Sequence, residues 1–202
     1  MEAHHCDNIQ ATTQAGAKER ANMITYLPHR TPRLALRTLR VSDIDPFLSY
    51  RSRADVAELQ GWSPMSEEEA LGFLRKEDST AALEPDSWRQ IGIAMASGDD
   101  LVGDIGIHLY ADQRTAEFGL SVHPDQQGLG LGTEAAQALI SLLFLHTSVD
   151  QVIAVTDARN TACIRLLSKS GMCHSSTRVA EYKGEQCTEF VFTSSRGNDD
   201  KS

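Results

Sequence analysis

Apolar and polar positions change their period several times along the chain, and each change marks an element. Leu34, Leu36 and Leu39 alternate with Arg33, Arg37 and Arg40, which predicts a strand with one polar face starting near Thr31. Ser42-Asp43-Ile44-Asp45 has the form of a helix start capped by Ser42, with the helix expected to reach about Arg53. Ser66 followed by Glu69 repeats that signal, and Ala70, Phe73 and Leu74 supply the apolar stripe of a second helix. Three apolar runs come next, 88–95, 101–110 and 115–122, separated by short polar turns, the pattern of a β-meander. A glycine-rich stretch follows, then a helical period through Ala135, Leu139, Leu142, Leu143 and His146. Beyond it the chain predicts a strand over 151–156 and a helix over 160–170 stopped by Gly171. Two final strands, 172–179 and 187–193, flank the turn Tyr182-Lys183-Gly184-Glu185.

A meander that runs through a helix into a further strand makes an α+β fold, because the crossover forces one parallel pair into an otherwise antiparallel sheet. One domain over 31–195 is expected, between a polar and flexible extension over 1–30 and a polar tail over 196–202. His4-His5-Cys6 in the extension is a weak metal candidate, and no metal is expected.

The chain carries 19 basic and 28 acidic residues, a formal charge of −9. That balance argues against a nucleic-acid partner, which needs a basic face. It suits a cationic substrate. Cys6, Cys163, Cys173 and Cys187 show no C-x-x-C spacing, so reduced thiols in a cytoplasmic protein are expected. No signal-peptide core and no span of bilayer length stand out, so no membrane partner is expected. A monomer or homodimer fits equally.

The chemistry concentrates where the strand over 117–122 gives way to the turn Gln127-Gly128-Leu129-Gly130-Leu131-Gly132-Thr133 and the helix that follows it. Glycine permits positive φ and lets a ligand approach the backbone. The first helical turn adds unpaired N–H groups and the positive end of the helix dipole. The product is a phosphate cradle made of main chain. No lysine precedes Thr133, so this is not a Walker A loop, and the glycines fall one residue short of a dinucleotide fingerprint.

The spacing Gln127-x-x-Gly130-x-Gly132 resembles the Q/R-x-x-G-x-G/A signature of the GNAT acyltransferase superfamily. Asn160-Thr161-Ala162-Cys163-Ile164-Arg165-Leu166-Leu167-Ser168-Lys169-Ser170-Gly171 resembles the family's second segment, N-x-A-S-x-x-L-L-x-K-x-G. The Leu166-Leu167 form, Thr133-Glu134-Ala135 and the Arg33-Leu34-x-Leu36-Arg37 start are similar to the RimJ/RimL-like branch of ribosomal-protein N-terminal acetyltransferases. The resemblance implies a GNAT fold and acetyl-CoA as co-substrate. It places the pyrophosphate on Gln127, Gly128, Leu129, Gly130, Leu131, Gly132 and Thr133, and the pantetheine arm along Leu120, Ser121 and Val122 with Asn160 and Cys163. Two departures stand out: Leu167 occupies the position where many members have a tyrosine, and Cys163 replaces the usual serine.

Acetyl transfer needs an amine acceptor stripped of a proton. At pH 7 roughly a tenth of an α-amino group is neutral, but well under a thousandth of a lysine side chain. Glu117, in an Ala-Glu-Phe-Gly setting that the resemblance also marks, is the first candidate base; it is also read as an ion-pair partner of Arg114. His123 has a suitable titration range or orients the turn, and His108 is a weaker candidate. Cys163 is read either as the acid for the leaving thiolate or as a small buried hydrophobe, and Asn160 as a pantetheine ligand, a helix cap or both. A protein N-terminus and a small-molecule amine both remain open as the acceptor, with 56–65 and 77–87 as the stretches that would select it. The alternatives are an acyl-CoA sensor without turnover and, in another class, a dinucleotide-dependent oxidoreductase using Asp157.

Overall fold

Eight strands form one sheet in the order β1-β2-β3-β4-β5-β6-β8-β7, where β1 is His29–Arg30, β2 Leu34–Thr38, β3 Ser87–Met95, β4 Leu101–Leu109, β5 Thr115–Val122, β6 Gln151–Asp157, β7 Cys173–Tyr182 and β8 Glu185–Ser195. The computed structural model describes residues 23–80, 82–182 and 184–197. The helices are α1 (Ile44–Arg51), α2 (Ala54–Ala57), α3 (Glu67–Ser79), α4 (Leu131–His146) and α5 (Thr161–Lys169). Every neighbouring strand pair is antiparallel except β5 and β6, which the α4 crossover forces to be parallel.

The meander and its registers set the site. Ile105 of β4 lies opposite Ile91 of β3 and Leu120 of β5, and Ile107 lies opposite Phe118. These residues face the main core, where Ala135, Leu139 and Leu142 of α4 are buried against them. A second cluster holds α1 and α3 together through Phe47, Tyr50, Ala70 and Leu74 with Leu39 and Leu101. Ser66 caps α3 in the expected capping box: its hydroxyl receives the Glu69 N–H, and the Glu69 carboxylate receives the Ser66 N–H.

Some expectations are corrected. The first helix is not capped by Ser42. A 3-10 turn over Val41–Asp43 precedes α1, and Asp43 receives the Arg40 N–H at 2.8 Å while it grips the buried Arg37 guanidinium through two bonds of 2.8 Å. That helix ends at Arg51, and α2 follows it unannounced by the sequence pattern. β7 and β8 run longer than their apolar residues indicated. The packed chain also reaches back beyond Thr31: Met23 is buried in the main core and Tyr26 stacks on His146 at 3.6 Å. The His4-His5-Cys6 cluster lies outside the described residues. Among those described, no group of three or more His, Cys, Asp or Glu side chains is arranged to hold a metal, and no helix is long and apolar enough to cross a membrane.

Candidate active site

β5 and β6 pair at only three positions, Thr115 with Gln151, Ala116 with Val152 and Glu117 with Ile153. Beyond Glu117 the two strands part, although β5 continues to Val122 and β6 to Asp157. The wedge leaves one backbone edge of β5 without a ladder partner, and buried backbone polar groups need partners. Two cavities open there.

The first, about 520 Å³, is bounded by the glycine loop, α5 and the α2 segment. Leu120, Ser121, Val122, Gln127, Gly128, Gly130, Leu131, Gly132, Thr133, Asn160 and Cys163 line it. Gly128 and Gly130 take φ of 75° and 78°, the left-handed region that strains an L side chain. Gly130 is the N-cap of α4, and the first intrahelical bond of the new turn is Glu134 N–H to Gly130 C=O at 3.1 Å. The N–H groups of Leu131, Gly132 and Thr133 therefore precede any helical acceptor. Gly132 answers a different need: a Cβ there would stand 2.6 Å from Leu166 Cδ1 of α5. Gln127 turns back to donate to the Val122 carbonyl at 2.9 Å, tying the loop to the end of β5. Leu129 is not part of the lining. Its side chain is exposed, and its carbonyl accepts a bond of 2.8 Å from Arg33.

Arg33, in the sequence part of the first strand's polar face and of the Arg33-Leu34-x-Leu36-Arg37 start, reaches the glycine loop. Its Nε donates to Glu134 at 2.6 Å, and Glu134 also receives the Thr31 hydroxyl at 2.5 Å and the Arg33 N–H at 3.0 Å. The guanidinium thus stands over the loop, with Arg165 and Lys169 on the cavity wall. Arg33 is matched by Glu134 and Asp55 on the wall by Arg53, so Arg165 and Lys169 against Glu58 leave this cavity one net positive charge in a chain of net negative charge.

Asn160 caps α5, its side-chain oxygen receiving the Cys163 N–H at 3.0 Å. Burial pushes the Cys163 thiol up from its ordinary value, only partly offset by a hydrogen bond with Thr156. The shift disfavours the thiolate, so Cys163 is not poised to attack as a nucleophile. Leu167, at the position where a tyrosine was considered, is buried in the main core.

The second cavity, about 470 Å³, lies on the opposite face of the sheet from α4 and shares Leu59, Gln60, Leu120 and Ser121 with the first. Glu117 lines it and receives the Tyr110 hydroxyl at 2.8 Å. That bond, more than burial, pushes the Tyr110 phenol up to about 12. The expected pairing of Glu117 with Arg114 does not form; Arg114 binds Asp150 instead. Of the two stretches expected to select an acceptor, 56–65 contributes Leu59, Gln60, Gly61, Trp62 and Met65, whereas 77–87 contributes nothing to the lining and β3 supplies Trp88 and Gln90.

Beneath this cavity sits Asp104, with no solvent exposure. It receives the Tyr50 hydroxyl at 2.7 Å and bonds from Arg51 and Gln90. Burial, reinforced by Asp104, pushes the Tyr50 phenol well above its ordinary value. Arg51 lies 4.3 Å from the Trp62 ring centroid and fixes that ring in the cavity wall. His123 lines neither cavity. Its Nδ1 receives the Asp125 N–H at 3.2 Å and its ring meets Tyr50 edge-on at 6.1 Å. The structure therefore brings Glu117 and Cys163 to two cavities that meet at Leu120 and Ser121, and leaves His123 at the turn.

A family model described as an acetyltransferase (GNAT) domain matches residues 33–173. A curated relative from Bacillus subtilis (strain 168), the uncharacterized N-acetyltransferase YnaD, is 27% identical over 142 residues, covering 70% of this chain and 80% of its own. Two solved structures, both holding coenzyme A, share the fold. The ribosomal L7/L12 α-N-protein acetyltransferase RimL superposes with a TM-score of 0.70 at 14% identity, covering 83% of this chain and 97% of its own. Spermidine N-acetyltransferase from Vibrio cholerae, which also holds spermine, superposes with a TM-score of 0.69 at 16% identity, covering 82% and 96%.

Proposed function

The chain belongs to the GNAT acetyltransferase family, and we propose that it moves the acetyl group of acetyl-CoA to a primary amine by direct attack within a ternary complex. The observation that carries this reading is the wedge after Glu117: the main-chain cradle opens on one side of β5 and a carboxylate-bearing cavity on the other. The RimJ/RimL-like branch is part of the proposal and rests on the Leu166-Leu167 and Thr133-Glu134-Ala135 motifs.

Bound acetyl-CoA supplies an activated thioester. The residues present fit its diphosphate: Leu131, Gly132 and Thr133 offer N–H groups, Gly128 and Gly130 carry no Cβ into the loop, and Arg165 and Lys169 stand on the cavity wall. The pantetheine arm follows Leu120–Val122 past Asn160. Glu117, held by Tyr110, takes a proton from the ammonium form of the acceptor, directly or through one water. The neutral nitrogen forms the C–N bond, the C–S bond breaks, and the departing sulfur takes a proton from Cys163 or from water. Glu117 passes that first proton to solvent; the second proton then leaves the nitrogen through the freed carboxylate and restores the donor that protonated the sulfur, so one proton is released per turnover. His123 serves to shape the turn between β5 and the loop.

Binding and turnover test this separately. Acetyl-CoA is expected to raise the melting temperature and NAD to leave it unchanged. Release of free thiol that depends on an added amine distinguishes an enzyme from an acyl-CoA sensor.

A further inference from the structure

The lining of the second cavity bears on the class of acceptor. Three rows of side chains cross β3, β4 and β5 on its face: Trp88–His108–Glu117, Gln90–Gly106–Gly119 and Gly92–Asp104–Ser121. The middle row has no side chain at Gly106 or Gly119: the Gln90 amide and the Trp88 ring cover Gly106, 2.8 Å and 3.4 Å from where a Cβ would stand, whereas a Cβ on Gly119 would meet nothing within 4 Å. Open backbone at Gly119 thus lies beside the row that begins with Trp88, 55% exposed, and ends with Glu117. Trp88 and Glu117 are two strand spacings apart, about 10 Å. Trp62 and Phe73 enclose the space from the helical side.

Charge narrows the choice further. Asp157 is matched by Arg159 and Glu189 by Arg178, each at 2.7 Å. Arg51 is matched by Asp104. Over the lining and its ion-pair partners one negative charge is left over: Arg178 is shared between Glu189, which it bonds, and Glu117, which also receives the neutral Tyr110 hydroxyl. A polycation would bring more positive charge than this wall balances.

We infer that the acceptor is a primary amine with a single positive charge, joined by a short linker to an apolar or aromatic group. The amine meets Glu117 while the apolar group lies over Gly119 toward Trp88. This rests on the acetyltransferase reading above and adds the substrate class to it. Such an amine comes either as a free small molecule or as a peptide N-terminus with an aromatic first residue.

The test uses the full chain with acetyl-CoA and follows thiol release with 2-phenylethylamine, spermidine, kanamycin and a C-terminally amidated tetrapeptide beginning with Phe. kcat/KM for phenylethylamine or the peptide is expected to exceed that for spermidine and kanamycin at least tenfold; the better of the two identifies the source of the amine. Trp88→Ala is expected to lower that value about tenfold without changing KM for acetyl-CoA. Arg178→Gln, on an exposed side chain, leaves Glu189 unmatched and is expected to shift the spermidine-to-phenylethylamine ratio about tenfold toward spermidine. A parent protein that prefers spermidine or kanamycin, or that turns over either of them and neither monocationic amine, overturns the inference. Failure to bind acetyl-CoA, or binding with turnover of none of the four amines, would instead remove the underlying acetyltransferase reading.

Discussion

Leu166 Cδ1 lies 2.6 Å from the point where a Cβ on Gly132 would stand, so the first turn of α4 and the middle of α5 touch through a missing methyl group. Gly132→Ala must push Leu166 aside. Overpacking of this kind costs about 1–3 kcal/mol, reduced here by about 1 kcal/mol because alanine favours helix. Since Leu166 also lines the cofactor cavity, KM for acetyl-CoA is expected to rise severalfold. Adding Leu166→Val should recover part of both losses. Urea unfolding and steady-state kinetics on the three variants check this, and additive losses would show that the contact is not the cause.

Gly130→Glu is expected to abolish acetyl-CoA binding in calorimetry. The position is left-handed, with φ 78°, and the new carboxylate would enter the proposed diphosphate cradle. Gly130→Ala separates the two effects. It carries only the backbone cost, about 1 kcal/mol, and should bind measurably. Unchanged affinity in the glutamate variant would place the diphosphate elsewhere.

Glu117→Gln removes the proposed base and should lower kcat about 10²–10⁴-fold with little change in KM for acetyl-CoA. The residual rate then depends on amine that is already neutral, so it should climb roughly tenfold per pH unit up to the acceptor's own pKa. Tyr110→Phe frees the carboxylate to rotate and should cost less than Glu117→Gln. Because the Tyr110 phenol is pushed up to about 12, it adds no inflection to a pH–rate profile below pH 10.

The cradle was legible in the sequence because its demands are on the backbone: glycines at fixed spacing before a helical period say where φ is positive and where a Cβ is forbidden. Asn160 was legible as a cap for a similar local reason. The network under the acceptor cavity was not. Arg51 and Asp104 stand 53 positions apart, and nothing in a single sequence distinguishes a buried charged pair from two solvated ones. Arg33 was equally hidden, since its partner Glu134 lies 101 positions away. β7 escaped its true length because most of its residues are exposed, leaving no alternation to read.

Glu134 holds the start of the domain to α4, and that attachment is pH-dependent. Burial alone would raise its carboxyl, but hydrogen bonds from Thr31 and Arg33 outweigh burial and hold it below the usual range. A carboxyl lowered in the folded state stabilises above its unfolded pKa and loses that contribution as pH falls through the folded value. Glu134→Gln should therefore cost about 1 kcal/mol at pH 7, and the difference from the parent should shrink as pH falls below about 4. Urea titrations at pH 7 and pH 3.5 measure it. A difference that is the same at both values would show that the charge is not what holds Thr31 and Arg33.

Asp104 offers the sharpest test of the buried network. Its carboxylate is fully enclosed and accepts from Tyr50, Arg51 and Gln90, so no lone pair is left to solvent. Asp104→Ala strands the Arg51 guanidinium in a buried position, an imbalance worth about 3–5 kcal/mol. Replacing both partners removes the charge that would be stranded, so Asp104→Ala with Arg51→Met should be more stable than Asp104→Ala alone by about 1–3 kcal/mol. The double variant also removes the cation that fixes Trp62. It is therefore expected to fold and to bind acetyl-CoA, yet to show a raised KM for the amine. If the double variant is as unstable as the single one, the cost lies in the lost packing and hydrogen bonds at Asp104 and not in an uncompensated arginine.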